Sequence, residues 1–194
     1  TREPQQAVQR ARGLRHVFFC ALLVEGGVGA HVVNALSSKM RVEVQRDGRQ
    51  VFQEFSRGKP TTPVTDMLPM GGRGSTVTFK FDPQIFGEAQ YDFATITQRL
   101  REMAYLNKGL HISFRSDWHR SLWPSNQVSY YFEGGISSFV RSLNQNREAL
   151  HRDPIYIEKQ VDGTIVEAAL QYNDSFTEFV YSFANCINTE GGGT

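Results

Sequence analysis

Residues 26–37 read Gly26-Gly27-Val28-Gly29-Ala30-His31-Val32-Val33-Asn34-Ala35-Leu36-Ser37, a glycine-rich turn that runs directly into an apolar helix. The start of a helix presents unpaired backbone N–H groups and the positive end of a dipole. Glycines allow that backbone to approach an anion closely, so the stretch is a candidate phosphate-binding turn. Glycines before a helix also form ordinary chain reversals, and this stretch alone leaves both interpretations open.

The composition bounds the class of protein. A chain of 194 residues with 40% hydrophobic residues can bury a core for one large domain, or for one domain and part of another. A net charge of +1 gives no clustered basic surface, so charge provides no case for direct DNA binding. The two cysteines, Cys20 and Cys186, lack metal-ligand spacing, and we expect them to be free and reduced, which favours a cytoplasmic protein.

Several chemical classes receive no support from the sequence. The apolar run from Val17 to Val24 is too short to cross a membrane and is followed at once by Glu25, so we expect a buried strand or helix turn rather than a signal sequence. The histidines show no metal-ligand spacing, and we predict no metal site. Serine–histidine and cysteine–histidine motifs are missing, which argues against a covalent hydrolase.

Periodicity predicts the first half of the fold. Val32, Val33, Leu36 and Met40 recur at helical spacing and predict one apolar stripe on a helix. The alternating residues on both sides of Asp47-Gly48 predict a β-hairpin, because this dipeptide readily adopts the positive φ angles of a tight turn. Further elements are predicted as a strand over 77–81, a helix from Phe93 to Leu106 capped by Asp92, and strands at 110–114 and 128–132.

The second half begins with a short helix after Gly134-Gly135. The polar segment 144–153 predicts a domain boundary. Beyond it we predict a second hairpin around Asp162-Gly163 and a further strand over 179–187.

The opening stretch resembles a known motif. Gly-Val-Gly followed by Val-Val-Asn-Ala-Leu-Ser is similar to the last glycine box of the GHKL ATPases, in the form found in the DNA gyrase B family. Four further stretches resemble that family in the same order, and the resemblance covers about residues 26–194. They are Gly74–Phe79, Arg99–Gly109, Phe132–Ile136 and Leu170–Phe176.

The resemblance implies an α+β fold. It corresponds to the C-terminal part of a GHKL (Bergerat) two-layer ATPase sandwich, followed by the start of a transducer domain with ribosomal-protein-S5-like topology. The implied division leaves residues 1–24 unassigned and places a partial ATPase domain at 25–150 and the transducer start at 151–194. A sheet lacking part of its cover leads us to expect a marginally stable, aggregation-prone monomer.

The implied function is that of a fragment of the ATP-binding subunit of a type II DNA topoisomerase. In that family ATP and Mg²⁺ are the cofactors, gyrase B forms a homodimer on ATP, and gyrase A and DNA are the partners. ATP binding and hydrolysis are thereby coupled to DNA supercoiling. The gyrase B counterpart in topoisomerase IV shares these motifs and stays open as an alternative.

The resemblance also implies the nucleotide-contacting residues, each of which has an ordinary structural interpretation beside it. The glycine box would hold phosphates or form a plain turn. Ser75 stands where the family has a threonine that hydrogen-bonds adenine, and Val77 would line the adenine floor or simply point inward from a strand. Arg46 matches an arginine at the mouth of the pocket and could equally be a solvated hairpin residue. The six implied residues are Gly27, Val28, Gly29, Arg46, Ser75 and Val77.

The sequence departs from the family upstream of the glycine box. The family's helix with a catalytic Glu and a magnesium-binding Asn, and its Asp-x-Gly-x-Gly strand, find no match in residues 1–25. Leu23-Val24-Glu25-Gly26 stands where the family has Gly-Gly-Leu-His, so the flexible lid glycines are replaced and a carboxylate lies near the expected phosphate position. We therefore assign no catalytic residue and expect no ATP hydrolysis by this chain alone. The alternative function is a non-hydrolysing remnant or regulator that associates with intact topoisomerase subunits.

Overall fold

The computed structural model describes residues 28–67 and 71–189. Within these ranges the chain divides into two compact units, one built from residues 28–94 and 113–128 and the other from 95–112 and 129–189. The buried strand or helix turn predicted over Val17–Val24 lies outside the described residues. The predicted domain boundary near residue 150 stays a prediction.

The first unit is organised around an antiparallel sheet. Helix α1 (Val28–Ala35) leads into strand β1 (Ser37–Arg46), which pairs with β2 (Arg49–Ser56) on one side and with β5 (Gly74–Phe81) on the other. The short strands β3 (Lys59–Pro60) and β4 (Thr65–Asp66) both pair with β2, and the order is β3-β2-β1-β5. The predicted hairpin and the predicted strand over 77–81 are confirmed.

Two tight turns fix the register of this sheet. Asp47 and Gly48 have φ angles of 54° and 75°, and they join β1 to β2 with Arg46 opposite Arg49. Arg57 and Gly58, with φ angles of 51° and 81°, join β2 to β3 in the same way. Two consecutive residues of positive φ match the right-handed twist of the paired strands.

The predicted helical stripe is wrong at Met40. Helix α1 ends at Ala35, and Met40 is a buried residue of β1 opposite Phe55 and Phe79. The Ser37 hydroxyl donates a hydrogen bond to the Val33 carbonyl at 2.6 Å and so satisfies the last turn of the helix. From Ser37 onward the backbone pairs with β5, and strand pairing overrides the helical spacing of the side chains.

A longer helix and a hairpin contribute residues to both units. Helix α3 (Phe93–Leu106) has the predicted bounds, and β6 (Ile112–Arg115) pairs with β7 (Gln127–Tyr130) as predicted. Before α3 comes the short helix α2 (Pro83–Phe86), and a single 3₁₀ turn (Arg120–Leu122) lies between β6 and β7.

The second unit contains α4 (Gly135–Leu143) and the hairpin of β8 (Ile155–Val161) and β9 (Thr164–Leu170), which turns at Asp162-Gly163 as predicted. Its core includes aromatic stacking. The Tyr105 ring of α3 stacks on Phe132 with ring centroids 3.6 Å apart, and Phe139 of α4 packs beside Tyr105 at 5.2 Å. These contacts hold α3, α4 and the segment that follows β7 together.

The single strand predicted over 179–187 is wrong. Residues Asn185 and Cys186 have φ angles of 47° and 67° and form a tight turn between β10 (Phe183–Ala184) and β11 (Ile187–Asn188). Asparagine tolerates positive φ better than most residues, and this local turn replaces a continuous strand.

Candidate functional site

The strand register collects three of the predicted site residues on one face of the sheet. Ser75 lies opposite Val44 and Val77 lies opposite Val42. Directly opposed residues of antiparallel strands share a face, and alternate residues of one strand do too. Arg46, two residues beyond Val44, therefore lies on the same face as Ser75 and Val77. We call this side of the sheet the apolar face.

Helix α1 packs against the apolar face. Val33 and Leu36 of α1 and Phe79 and Phe81 of β5 line an apolar recess of about 230 Å³, together with the end of α2 and residues that follow it. Phe79 and Phe81 continue the alternation of Ser75 and Val77 along β5. The start of α1 and the Ser75–Val77 strip thus belong to one side of the first unit.

The glycine box is described only in part. Gly27 lies outside the described residues, and Val28 is described only as the first residue of α1. Gly29 is exposed in the first turn, and a Cβ placed on it would meet no other atom within 4 Å. The first N–H groups of an α-helix have no partner within the helix, and such groups can bind an anion.

Charge separates the two faces of the sheet. On the opposite face the Arg41 guanidinium bonds Glu43 at 2.6 Å and Glu54 at 3.3 Å and lies 3.9 Å from the Phe52 ring centroid. The register places both of these carboxylates away from the apolar face. The charged residues that β1 and β2 contribute to the apolar face are Arg46 and Arg49. Each is paired with a carboxylate, Arg46 with Asp47 at 3.3 Å and Arg49 with Asp66 at 2.8 Å.

Arg46 keeps both of its interpretations. Its side chain is 69% exposed and its Nε lies 3.3 Å from the Asp47 carboxylate. An exposed pair of adjacent residues contributes little to stability, so Arg46 can turn toward a ligand at small cost. Ser75 is exposed and Val77 is half-buried, which leaves one hydroxyl and an apolar floor open on the same strand.

A polar cluster holds α1 in place on the sheet, and no pattern in the sequence indicates it. The backbone N–H groups of Arg57 and Gly58 donate to the carbonyls of Ser37 and Asn34 at 2.8 and 3.1 Å. The Arg57 guanidinium also bonds the buried Asp82 carboxylate at 2.5 Å. The β2–β3 turn is therefore fastened both to the end of α1 and to the end of β5.

Asp82 itself has two further roles. Its N–H donates to the Leu36 carbonyl at 2.9 Å, and its carboxylate accepts the Gln84 N–H at 3.0 Å as the N-cap of α2. The Arg57 guanidinium, and then the Gln84 N–H, hold the pKa of Asp82 below its usual range. The Asp82-Pro83 pair is a recognisable helix start in the sequence. The bond to Arg57 cannot be predicted from local sequence, because Arg57 lies 25 residues upstream.

The described residues fit the implied cofactors unequally. An apolar floor with one hydroxyl beside an open helix start suits a nucleotide. For a metal ion, residues 28–67 and 71–189 bring no three His, Cys, Asp or Glu side chains together as ligands. Within the same ranges, no helix has both the length and the apolar character needed to cross a membrane.

Comparisons with known proteins find similar sequences and a similar fold. A family model described as DNA gyrase B matches residues 135–194. DNA gyrase B of Clostridium acetobutylicum is 44% identical over 169 residues, and that of Halalkalibacterium halodurans is 46% identical over the same length. Each alignment covers 87% of this chain and 26% of the relative, so the chain spans about a quarter of the length of these relatives.

A solved structure supports the fold. The 43K ATPase domain of Thermus thermophilus gyrase B, in complex with an aminocoumarin, superposes with a TM-score of 0.75 at 35% identity. The match covers 84% of this chain and 44% of that one. The α+β fold expected from the resemblance is that of gyrase B ATPase domains.

Proposed function

The chain belongs to the DNA gyrase B family, and we propose on this basis that its apolar face binds ATP as part of a type II topoisomerase. The observation that carries the proposal is the placement of Ser75 and Val77 on the face against which α1 packs, with the exposed Gly29 in the first turn of that helix. The ligand is a purine nucleotide with an anionic chain, because the face offers an apolar floor and a hydroxyl, and a helix N-terminus is a favourable position for phosphate.

Each residue receives a role in this proposal. The N–H groups at the start of α1, with Gly27, Val28 and Gly29, hold the phosphates. The Ser75 hydroxyl hydrogen-bonds the adenine, and Val77 supports the ring from below. Arg46 closes the rim and contacts ligands that project from the pocket. When bound, ATP supplies γ-phosphate contacts whose energy favours one arrangement of the parent protein over another.

The activity of the longer relatives extends the proposal. The parent protein would couple ATP binding and hydrolysis to DNA supercoiling, forming a gyrase B homodimer on ATP and working with gyrase A and DNA, with Mg²⁺ as the second cofactor. Residues 25–150 would belong to the ATPase domain and 151–194 to the start of the transducer. The counterpart in topoisomerase IV would use the same residues in the same way.

The second candidate is a non-hydrolysing GHKL-fold regulator that associates with intact topoisomerase subunits. The observation in its favour is that Leu23 and Val24 replace the family's flexible lid glycines and that the carboxylate of Glu25 closely precedes the phosphate-binding turn in the sequence. We accordingly predict that the purified 194-residue chain does not hydrolyse ATP. Turnover that disappears in Gly29→Glu and is not seen in a mock preparation would overturn this prediction.

Isothermal titration of the chain with a non-hydrolysable ATP analogue and magnesium tests the binding proposal. We expect saturable 1:1 binding that an aminocoumarin abolishes by competition. A chain that is folded by circular dichroism but binds neither ligand refutes nucleotide binding at the apolar face and leaves only the family membership.

A further inference from the structure

His151 joins two segments of the second unit. Its Nδ1 lies 2.8 Å from the Asp153 carbonyl oxygen, and its Nε2 lies 3.0 Å from the backbone nitrogen of Tyr172. A carbonyl can only accept and a backbone N–H can only donate. Both bonds form together only when the imidazole is neutral and carries its proton on Nδ1. A second proton on Nε2 replaces the acceptor with a donor that faces another donor.

The other described histidines with hydrogen-bonded rings differ in this respect. His111 Nε2 lies 2.7 Å from the Ser129 hydroxyl, and His119 Nδ1 lies 2.6 Å from the Ser116 hydroxyl. A serine hydroxyl can rotate from donor to acceptor, so protonation of these rings leaves the hydrogen bond intact. The fixed polarity of the Tyr172 N–H makes His151 the one of these three whose contact depends on its charge.

The contact belongs to a larger junction. The connection between α4 and β8 runs beside the residues that follow β9, with the Leu150 N–H bonded to the Tyr172 carbonyl at 3.0 Å and a bridge between Ala149 and Asn173. The Gln171 amide also donates to the His151 carbonyl at 2.9 Å. Among these bonds, the His151–Tyr172 bond is the one whose acceptor becomes a donor on protonation.

We propose that His151 is a pH-sensitive latch, which fastens the α4–β8 connection to the end of β9 while its imidazole is neutral and releases the Tyr172 N–H when protonated. The charged groups on the segments that meet here are Arg147, Glu148, Arg152, Asp153 and Asp174, and the Tyr172 ring lies 6.0 Å from the imidazole. Asp153 is paired with Arg141 at 2.9 Å. The carboxylates can attract an imidazolium, but none of them gives the Tyr172 N–H back its Nε2 acceptor.

Amide hydrogen exchange at Tyr172 in the full chain tests the latch, expressed as the protection factor relative to an unfolded peptide at the same pH. Between pH 8.0 and pH 5.5 we expect protection to fall about fivefold, as for loss of one hydrogen bond. In His151→Gln the side-chain oxygen can take the place of Nε2 as a non-titrating acceptor, so protection should not change with pH. In the matched control His111→Gln, the protection of Tyr172 should still fall between pH 8.0 and pH 5.5.

Two results would overturn the latch. One is Tyr172 protection in the unmodified chain that is the same at both pH values, and the other is a fall of equal size in His151→Gln. If His151→Gln does not fold, the ring nitrogen chemical shifts of His151 in the unmodified chain show which nitrogen carries the proton and so test the latch. A proton on Nδ1 at pH 8.0 supports the latch, and a proton on Nε2 at that pH contradicts it.

Discussion

Asp82 shows how one buried carboxylate can organise an open sheet. It accepts from Arg57 and Gln84 at once, and the pKa of its carboxyl is lowered for that reason. A group whose pKa is lower in the folded than in the unfolded state stabilises the fold above its unfolded pKa. That contribution disappears as pH falls through the folded pKa.

We predict that Asp82→Asn lowers the free energy of unfolding at pH 7, and that the difference from the unmodified chain shrinks below about pH 4. Urea unfolding at both pH values measures this. Asp66→Asn is the control, since Asp66 pairs with Arg49 at 2.8 Å on the exposed surface and should contribute almost nothing. Equal effects of the two substitutions at pH 7 would show that the Arg57–Asp82 bond stabilises the fold no more than an exposed ion pair does.

Ser75 and Thr76 form a matched pair for the proposed site, because adjacent strand residues face opposite sides of the sheet. Ser75→Ala removes the hydroxyl from the apolar face and should weaken binding of the ATP analogue about fivefold, the usual value of one hydrogen bond. Thr76→Ala, opposite Glu43 on the other face, should leave affinity unchanged. A larger loss of affinity in Thr76→Ala than in Ser75→Ala would place the ligand on the opposite face of the sheet and contradict the proposed site.

At the scale of elements, local chemistry determines what can be predicted from the sequence. The Asp47-Gly48 and Asp162-Gly163 turns, and with them two hairpins, follow from residues that accept positive φ. Met40 is misplaced by periodicity because helical spacing continues past Ser37, where the backbone already pairs with β5. The single strand over 179–187 is wrong because the Asn185 turn carries no glycine or proline that would mark it.

The β2–β3 turn holds the end of α1 against the sheet. Gly58 has φ of 81°, and a Cβ on it would approach the Ala35 backbone at 3.5 Å. We expect Gly58→Ala to lower the free energy of unfolding by about 1–2 kcal/mol because of its left-handed conformation. The control is Gly71→Ala, since Gly71 has no positive φ and no atom near its Cβ. Urea unfolding compares the two, and equal stabilities would contradict the importance of this turn.

At the scale of the whole molecule, the site can be predicted only in part. The family resemblance identifies Ser75 and Val77, and the register then places them on one face with Arg46. The Arg57–Asp82 bond and the His151–Tyr172 contact are missed, because their partners lie 25 and 21 residues apart and no periodic pattern connects them. The roles of the six implied residues stay predictions until a ligand is bound.

The exposed apolar residues of the β8–β9 hairpin bear on stability. The register places Ile155, Ile157, Val161, Val166 and Leu170 on one face of the hairpin, and all five are exposed. We expect Ile157→Ala to change the free energy of unfolding by less than about 0.5 kcal/mol. Ile112→Ala, at a position that is 8% exposed, should cost about 2–5 kcal/mol. Thermal unfolding with both variants checks this, and similar costs would mean that Ile157 is buried in solution.

Hydrogen exchange of the full chain with and without the magnesium–ATP analogue tests nucleotide binding at the apolar face most directly, because it locates the ligand as well as detecting it. We predict slower exchange in α1 and in the β1 and β5 strands, with no change in the β8–β9 hairpin. Binding that is measurable by titration but protects other elements, and leaves α1 and β5 unchanged, would contradict nucleotide binding at this face.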